Sequence, residues 1–172
     1  MAIIASAGDS KSFTPAPVGA HQAVCVDVID KGIVEVTYAG KTKKQHKVSL
    51  AWQIDETRDD GKRFLVYKRY TLSLNEKATL RKDLESWRGK AFTRDEEMGF
   101  DVEQVLGANC LISVQHNVSG DKTYANVVAV MPLAKGMTKI AAIDYVREKD
   151  RKSDDAASED QSGPITADDI PF

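Results

Sequence analysis

A chain of 172 residues has room for one domain with appendages; its 42% hydrophobic residues allow a buried core, and its 29% charged residues favour solubility. No apolar run approaches a membrane span, Met1-Ala2-Ile3-Ile4-Ala5 lacks the basic flank of a secretion signal, and Cys25 and Cys110 cannot build a disulfide framework. A reducing, cytoplasmic setting with no membrane partner is therefore expected. The net charge of −2 conceals a division, because residues 150–172 sum to −5 and the remainder to +3. That pattern suits a mildly basic body facing a polyanion and a separate acidic interaction arm.

Along the chain, residues 1–19 are small and polar, with Pro15, Pro17 and Gly19, and read as a loosely ordered lead-in. His21 to Asp30 alternates, with Val24, Val26 and Val28 predicted on one face. Gly32 then marks a bulge or bend before Ile33–Tyr38 resumes the strand. Gly40-Lys41-Thr42-Lys43-Lys44 reads as a basic turn, followed by a strand with Val48, Leu50, Trp52 and Ile54 on one face. Asp59-Asp60-Gly61 is a hairpin turn. The next strand sets Phe64, Val66, Tyr70 and Leu72 against Arg63, Leu65, Tyr67, Arg69 and Thr71.

The period then changes. Asn75 is positioned to cap a helix carrying Leu80, Leu84 and Trp87, which Gly89 stops. Asp101 caps a second short helix ended by Gly107. Strands return at Cys110–Val114 and Tyr124–Met131, separated by a turn at Ser119-Gly120-Asp121. Ile140–Val146 is weakly amphipathic and compatible with internal packing or a homo-oligomer contact. From Arg147 the chain is polar and acidic, a composition that cannot offset its own ordering entropy.

The order β-β-β-α-β-β predicts a mainly β fold: a five-stranded OB-fold-like barrel with a helical insertion between strands 3 and 4. The expected organisation is a flexible lead-in over 1–19, an OB-like domain over 20–146 and a disordered acidic tail over 147–172. An OB barrel binds oligonucleotides on its strand 2–3 face and its flanking loops, here 39–45 and 118–122.

The last five residues, Asp168-Asp169-Ile170-Pro171-Phe172, resemble the C-terminal tip of bacterial single-stranded DNA-binding proteins. Phe172 offers an aromatic anchor beside a carboxylate, Pro171 restricts the backbone, and Asp168 and Asp169 suit a basic pocket rim. The resemblance implies docking of replication, recombination or repair proteins. An acidic terminus serving solubility would account for the aspartates but not for Ile170-Pro171-Phe172. Tyr70–Lys77, Leu80–Gly89, Phe100–Glu103 and Leu106-Gly107 resemble single-strand-binding replication proteins encoded by phages, which implies a bacterial or phage-infected cytoplasm.

Binding single strands without sequence preference requires cations that track phosphates and aromatic faces that stack bases. Tyr67 lies between Arg63 and Arg69 on the predicted non-core face; Lys43, Lys44, Lys47 and Trp52 extend it, and Lys122 and Tyr124 approach from the other loop. Each has a plainer alternative. Tyr67 can cover the barrel, Trp52 shares a face with core residues, and the lysines can solvate a loop tip. No zinc, phosphate-cradling or nucleophile motif is present, so neither catalysis nor a cofactor or metal is expected. Two other readings stay open: a strand-annealing recombination mediator, and a tail-presenting adaptor or decoy that does not bind DNA.

Overall fold

The computed structural model describes residues 14–151. Five strands, β1 (Gly19–Tyr38), β2 (Lys41–Thr57), β3 (Arg63–Thr71), β4 (Asn109–Ser119) and β5 (Lys122–Met131), form one antiparallel sheet in the order β3-β2-β1-β4-β5. Between β3 and β4 run α1 (Thr79–Arg88), α2 (Arg94–Met98) and a 3₁₀ turn at Val102–Val105. The expected element order is therefore present. The sheet is open, and its edge strands β3 and β5 approach within 8 Å at their Cα atoms without sharing a ladder. Among the described residues, no helix is long and apolar enough to cross a membrane.

Local chemistry accounts for most boundaries. Ala39 (φ 51°) and Gly40 (φ 77°) are both left-handed, the requirement of a two-residue turn whose twist matches its strands. The predicted loop 39–45 is consequently strand on all but two residues. Gly32 (φ 70°) sits at a register shift, its N–H donating to the Asp30 carboxylate at 2.7 Å, so the expected bulge is there. Gly89 ends α1 in the left-handed conformation, as anticipated, but the helix starts at Thr79, and Asn75 instead accepts a turn hydrogen bond from Ala78. A Thr93/Glu96 capping box opens α2, a helix not foreseen.

A second bulge between Cys25 and Asp27 overturns the predicted face of β1. Cys25 points to the inner core, Val24 and Val26 join a separate outer cluster, and Val28 packs back against the inner one. One extra residue reverses the alternation beyond it. This same bulge aims Asp27, 1% exposed, toward the outer face opposite Ala51.

The inner face is conventional packing. Leu50, Trp52 and Ile54 of β2 meet Val66 and Tyr70 of β3, and α1 lays Leu80, Leu84 and Trp87 over them. The Trp52 and Trp87 rings lie 6.0 Å apart. Burial pushes the Cys25 and Cys110 thiols up, as befits small core side chains.

Across the outer face runs a strap, residues 138–151, irregular except for a 3₁₀ turn at Glu148–Asp150. The sheet's side chains hold the strap's main chain. Asn109 donates to the Ile140 carbonyl (2.9 Å) and accepts its N–H (2.8 Å). Gln53 does the same for Ile143 (2.7 and 2.8 Å). Asp27 latches the far end, accepting from the Tyr145 hydroxyl (2.8 Å), the Arg147 guanidinium (3.1 Å) and the Glu148 N–H (2.9 Å). Contacts with the body thus continue past the expected boundary at 146, through Arg147 to Glu103 and Glu148 to Asp27 and Lys31, while Arg151 bonds back to Val146 and Tyr145 of the strap. At the other end, Ala16 is buried and its carbonyl accepts from His116 at 2.6 Å, so part of the expected loose lead-in is packed.

Candidate nucleic-acid interface

Strand register decides which cations share a surface, because side chains directly opposite one another lie on one face. Odd-numbered residues of β2 continue the outer face of Ser49, Ala51 and Gln53, and this places Lys41, Lys43 and Lys47 there. Tyr38, opposite Lys41, is 84% exposed on that face. Toward the body, the Lys47 ammonium donates to the Thr71 hydroxyl at 2.6 Å, and Arg69 stands opposite Ser49. Lys44 falls on the reverse face, opposite Glu35. The tight Ala39-Gly40 turn therefore separates two lysines that a floppy loop would have left together.

The remaining predicted residues distribute differently. Trp52 is 0% exposed in the inner core and presents no ring face to a base, which resolves its two readings in favour of packing. Tyr67 lies on the outer face as predicted, but its ring packs with Val24, Val26, Ala51, Ile140 and Tyr145 beneath the strap. Burial pushes its hydroxyl up, against the opposing effect of nearby Arg151. Arg63 donates to the Ala141 carbonyl at 2.7 Å and so helps seat the strap. Lys122 is exposed opposite Ser119, and Tyr124 (42% exposed) shares its face two residues along β5.

Because β4 runs antiparallel to β1, the β4–β5 turn lies at the opposite end of the sheet from the β1–β2 turn, with the strap crossing between them. One group is thus assembled at one end (Tyr38, Lys41, Lys43, Lys47 and Arg69), and Lys122 and Tyr124 stand at the other. Sequence reasoning missed Tyr38 and Lys41 as site residues. Counting the alternation outward from Leu50 through a two-residue turn would have found both. The predicted docking residues Asp168, Asp169, Ile170, Pro171 and Phe172 lie outside the described residues.

No protein-family model matches this chain, and no curated protein matches it either.

Proposed function

We propose that this chain is a non-catalytic, sequence-tolerant single-stranded DNA-binding protein, an OB-like barrel that coats exposed strands in replication, recombination or repair. The observation that carries the reading is the outer-face group at the β1–β2 end: an exposed Tyr38 beside Lys41 and Lys43, leading to Lys47 and Arg69. A row of cations with an aromatic face is what a single strand requires for phosphate tracking and base stacking. The close approach of β3 to β5 supports an OB-like curl of the sheet. The resemblance of Asp168–Phe172 to the bacterial tip supports recruitment of partner proteins. The resemblance of Tyr70–Lys77 and Leu80–Gly89 to phage single-strand-binding proteins supports a cytoplasmic site of action, in a bacterium or a phage-infected host.

The test is an anisotropy titration of labelled oligo-dT with the full chain at two salt concentrations. Affinity should fall with salt, and Lys41→Ala with Lys43→Ala should make the log–log slope shallower by roughly 0.7 per lysine. Tyr38→Ala should weaken binding by about 1–3 kcal/mol, the worth of one stacked base. A folded chain that does not bind oligo-dT sinks the reading.

A further inference from the structure

The β1–β2 arm carries more than a single strand would use. From the Gly32–Lys47 pair outward it is a two-stranded ribbon. β3 ends opposite Lys47 and β4 opposite Val24. Beyond the Leu72 N–H that donates to the His46 carbonyl, no strand among the described residues pairs with either long edge. Residues 32–47 sum to +3, as much as the whole of residues 1–149, so the body's positive excess is concentrated here. The cations occupy both broad faces, Lys41 and Lys43 on one and Lys44 on the other. A strand lying along the outer face would leave Lys44, which stands opposite Glu35 on the reverse face, untouched. A thin ribbon charged on both sides suits a ligand that flanks it.

We propose that this arm enters the major groove of duplex DNA, so that the protein takes a junction between duplex and single strand. The single-stranded half of that statement rests on the reading above; the duplex half rests on the arm alone. The major groove is about 12 Å wide and about 8.5 Å deep and admits a two-stranded β-ribbon. A ribbon with side chains on both faces is roughly 10 Å thick, and Ile33–Tyr38 extends roughly 20 Å. Entering tip first, it sets Lys41 and Lys43 toward one phosphate wall and Lys44 toward the other. The tip itself is small, Ala39-Gly40. Just behind it, the Thr37 and Thr42 hydroxyls hydrogen-bond to each other at 3.0 Å on the Lys44 face and tie the two strands together. At the root, Asp30 holds both the Gly32 N–H (2.7 Å) and the His46 ring (2.6 Å), fixing the angle at which the arm leaves the sheet.

Three probes test this with the full chain: oligo-dT, a blunt duplex, and the same duplex carrying that dT tail. The tailed duplex should bind about tenfold or more tightly than oligo-dT, the gain from a few added phosphate contacts. Lys44→Ala should bring the ratio toward one while moving oligo-dT affinity far less, without setting a second carboxylate opposite Glu35. Because Lys44 is exposed, the variant should fold. Independently, bound wild-type protein should protect guanine N7 atoms beside the junction from dimethyl sulfate, since N7 lines the major groove. Equal affinity for tailed duplex and oligo-dT, or unprotected N7 atoms, overturns the proposal. Loss of oligo-dT binding with duplex binding and N7 protection intact would instead remove the single-strand reading and leave the arm's role standing. Binding to none of the three probes removes both.

Discussion

Residues 48–54 of strand β2 are buried on both sides, by opposite means. Its even-numbered residues, Val48 to Ile54, meet a packed apolar core; its odd-numbered ones, Ser49, Ala51 and Gln53, are equally sealed from water. The outer seal is a strap with no fully buried residue of its own, in which Ile143 and Val146 remain 51% and 57% exposed. Packing closes one face; the other is closed by side-chain hydrogen bonds to the strap together with a small apolar cluster in which Ile140 and Tyr145 cover Val24, Val26 and Ala51. A surface can thus be as dry as a core while the segment that dries it stays largely wet. Such a segment is drawn from the low-stability end of a fold, because few apolar contacts oppose its opening.

The largest expected effect tests the inner side. Trp52→Ala should cost about 3–5 kcal/mol in chemical denaturation, since the cavity beside Trp87 cannot collapse. Next comes the latch. Asp27→Asn weakens a carboxylate that accepts from Tyr145, Arg147 and Glu148, and should cost about 1.5–3 kcal/mol. That loss should appear in native-state amide exchange as faster exchange at Ile140 and Ile143, with the β1–β2 ladder unmoved. If the ladder opens with the strap, the two faces form one cooperative unit and do not differ in stability. Gln53→Ala removes one amide clamp and should cost about 1 kcal/mol, confined to strap amides.

The smallest effect is set by pH. The Arg147 guanidinium holds the Glu103 carboxyl below its ordinary value of 4.5. A depressed carboxyl stabilises the fold above that ordinary value and loses its contribution as pH falls through the lower folded one. Acidification below about 4.5 should therefore raise exchange at the Glu148 amide before it touches the inner core. Simultaneous loss of both would remove the distinction.

How much of this could be read in advance follows from where the signal resides. Strand order, the Gly32 bulge, the Gly89 stop and the Asp101 cap are local, and short-range chemistry specifies them. The core side of β2 was likewise legible from Val48, Leu50, Trp52 and Ile54. The bulge at Val26 was not, because no glycine marks it, and it reversed the assigned face of β1. The strap was invisible for a different reason. Its partners are the side chains of Gln53, Asn109 and Asp27, and contacts made by main chain to side chain leave no hydrophobic period. The binding surface was half legible: lysines and aromatics could be nominated, but only register separated Lys43 from Lys44 and placed Tyr38 beside Lys41.

The strap's attachments also constrain how the molecule is made. Ile143 meets Gln53 across 90 residues, and Arg147 meets Asp27 across 120. Contacts so distant in sequence cannot form until the strands between them are paired. On a ribosome, which releases the chain from its N-terminus, the strap emerges after all five strands. For that interval the patch of Val24, Val26, Ala51 and Tyr67 is bare on an otherwise finished sheet. A nascent chain halted before residue 138 should therefore present a sticky outer surface, and a chaperone that recognises exposed apolar patches would find its target there.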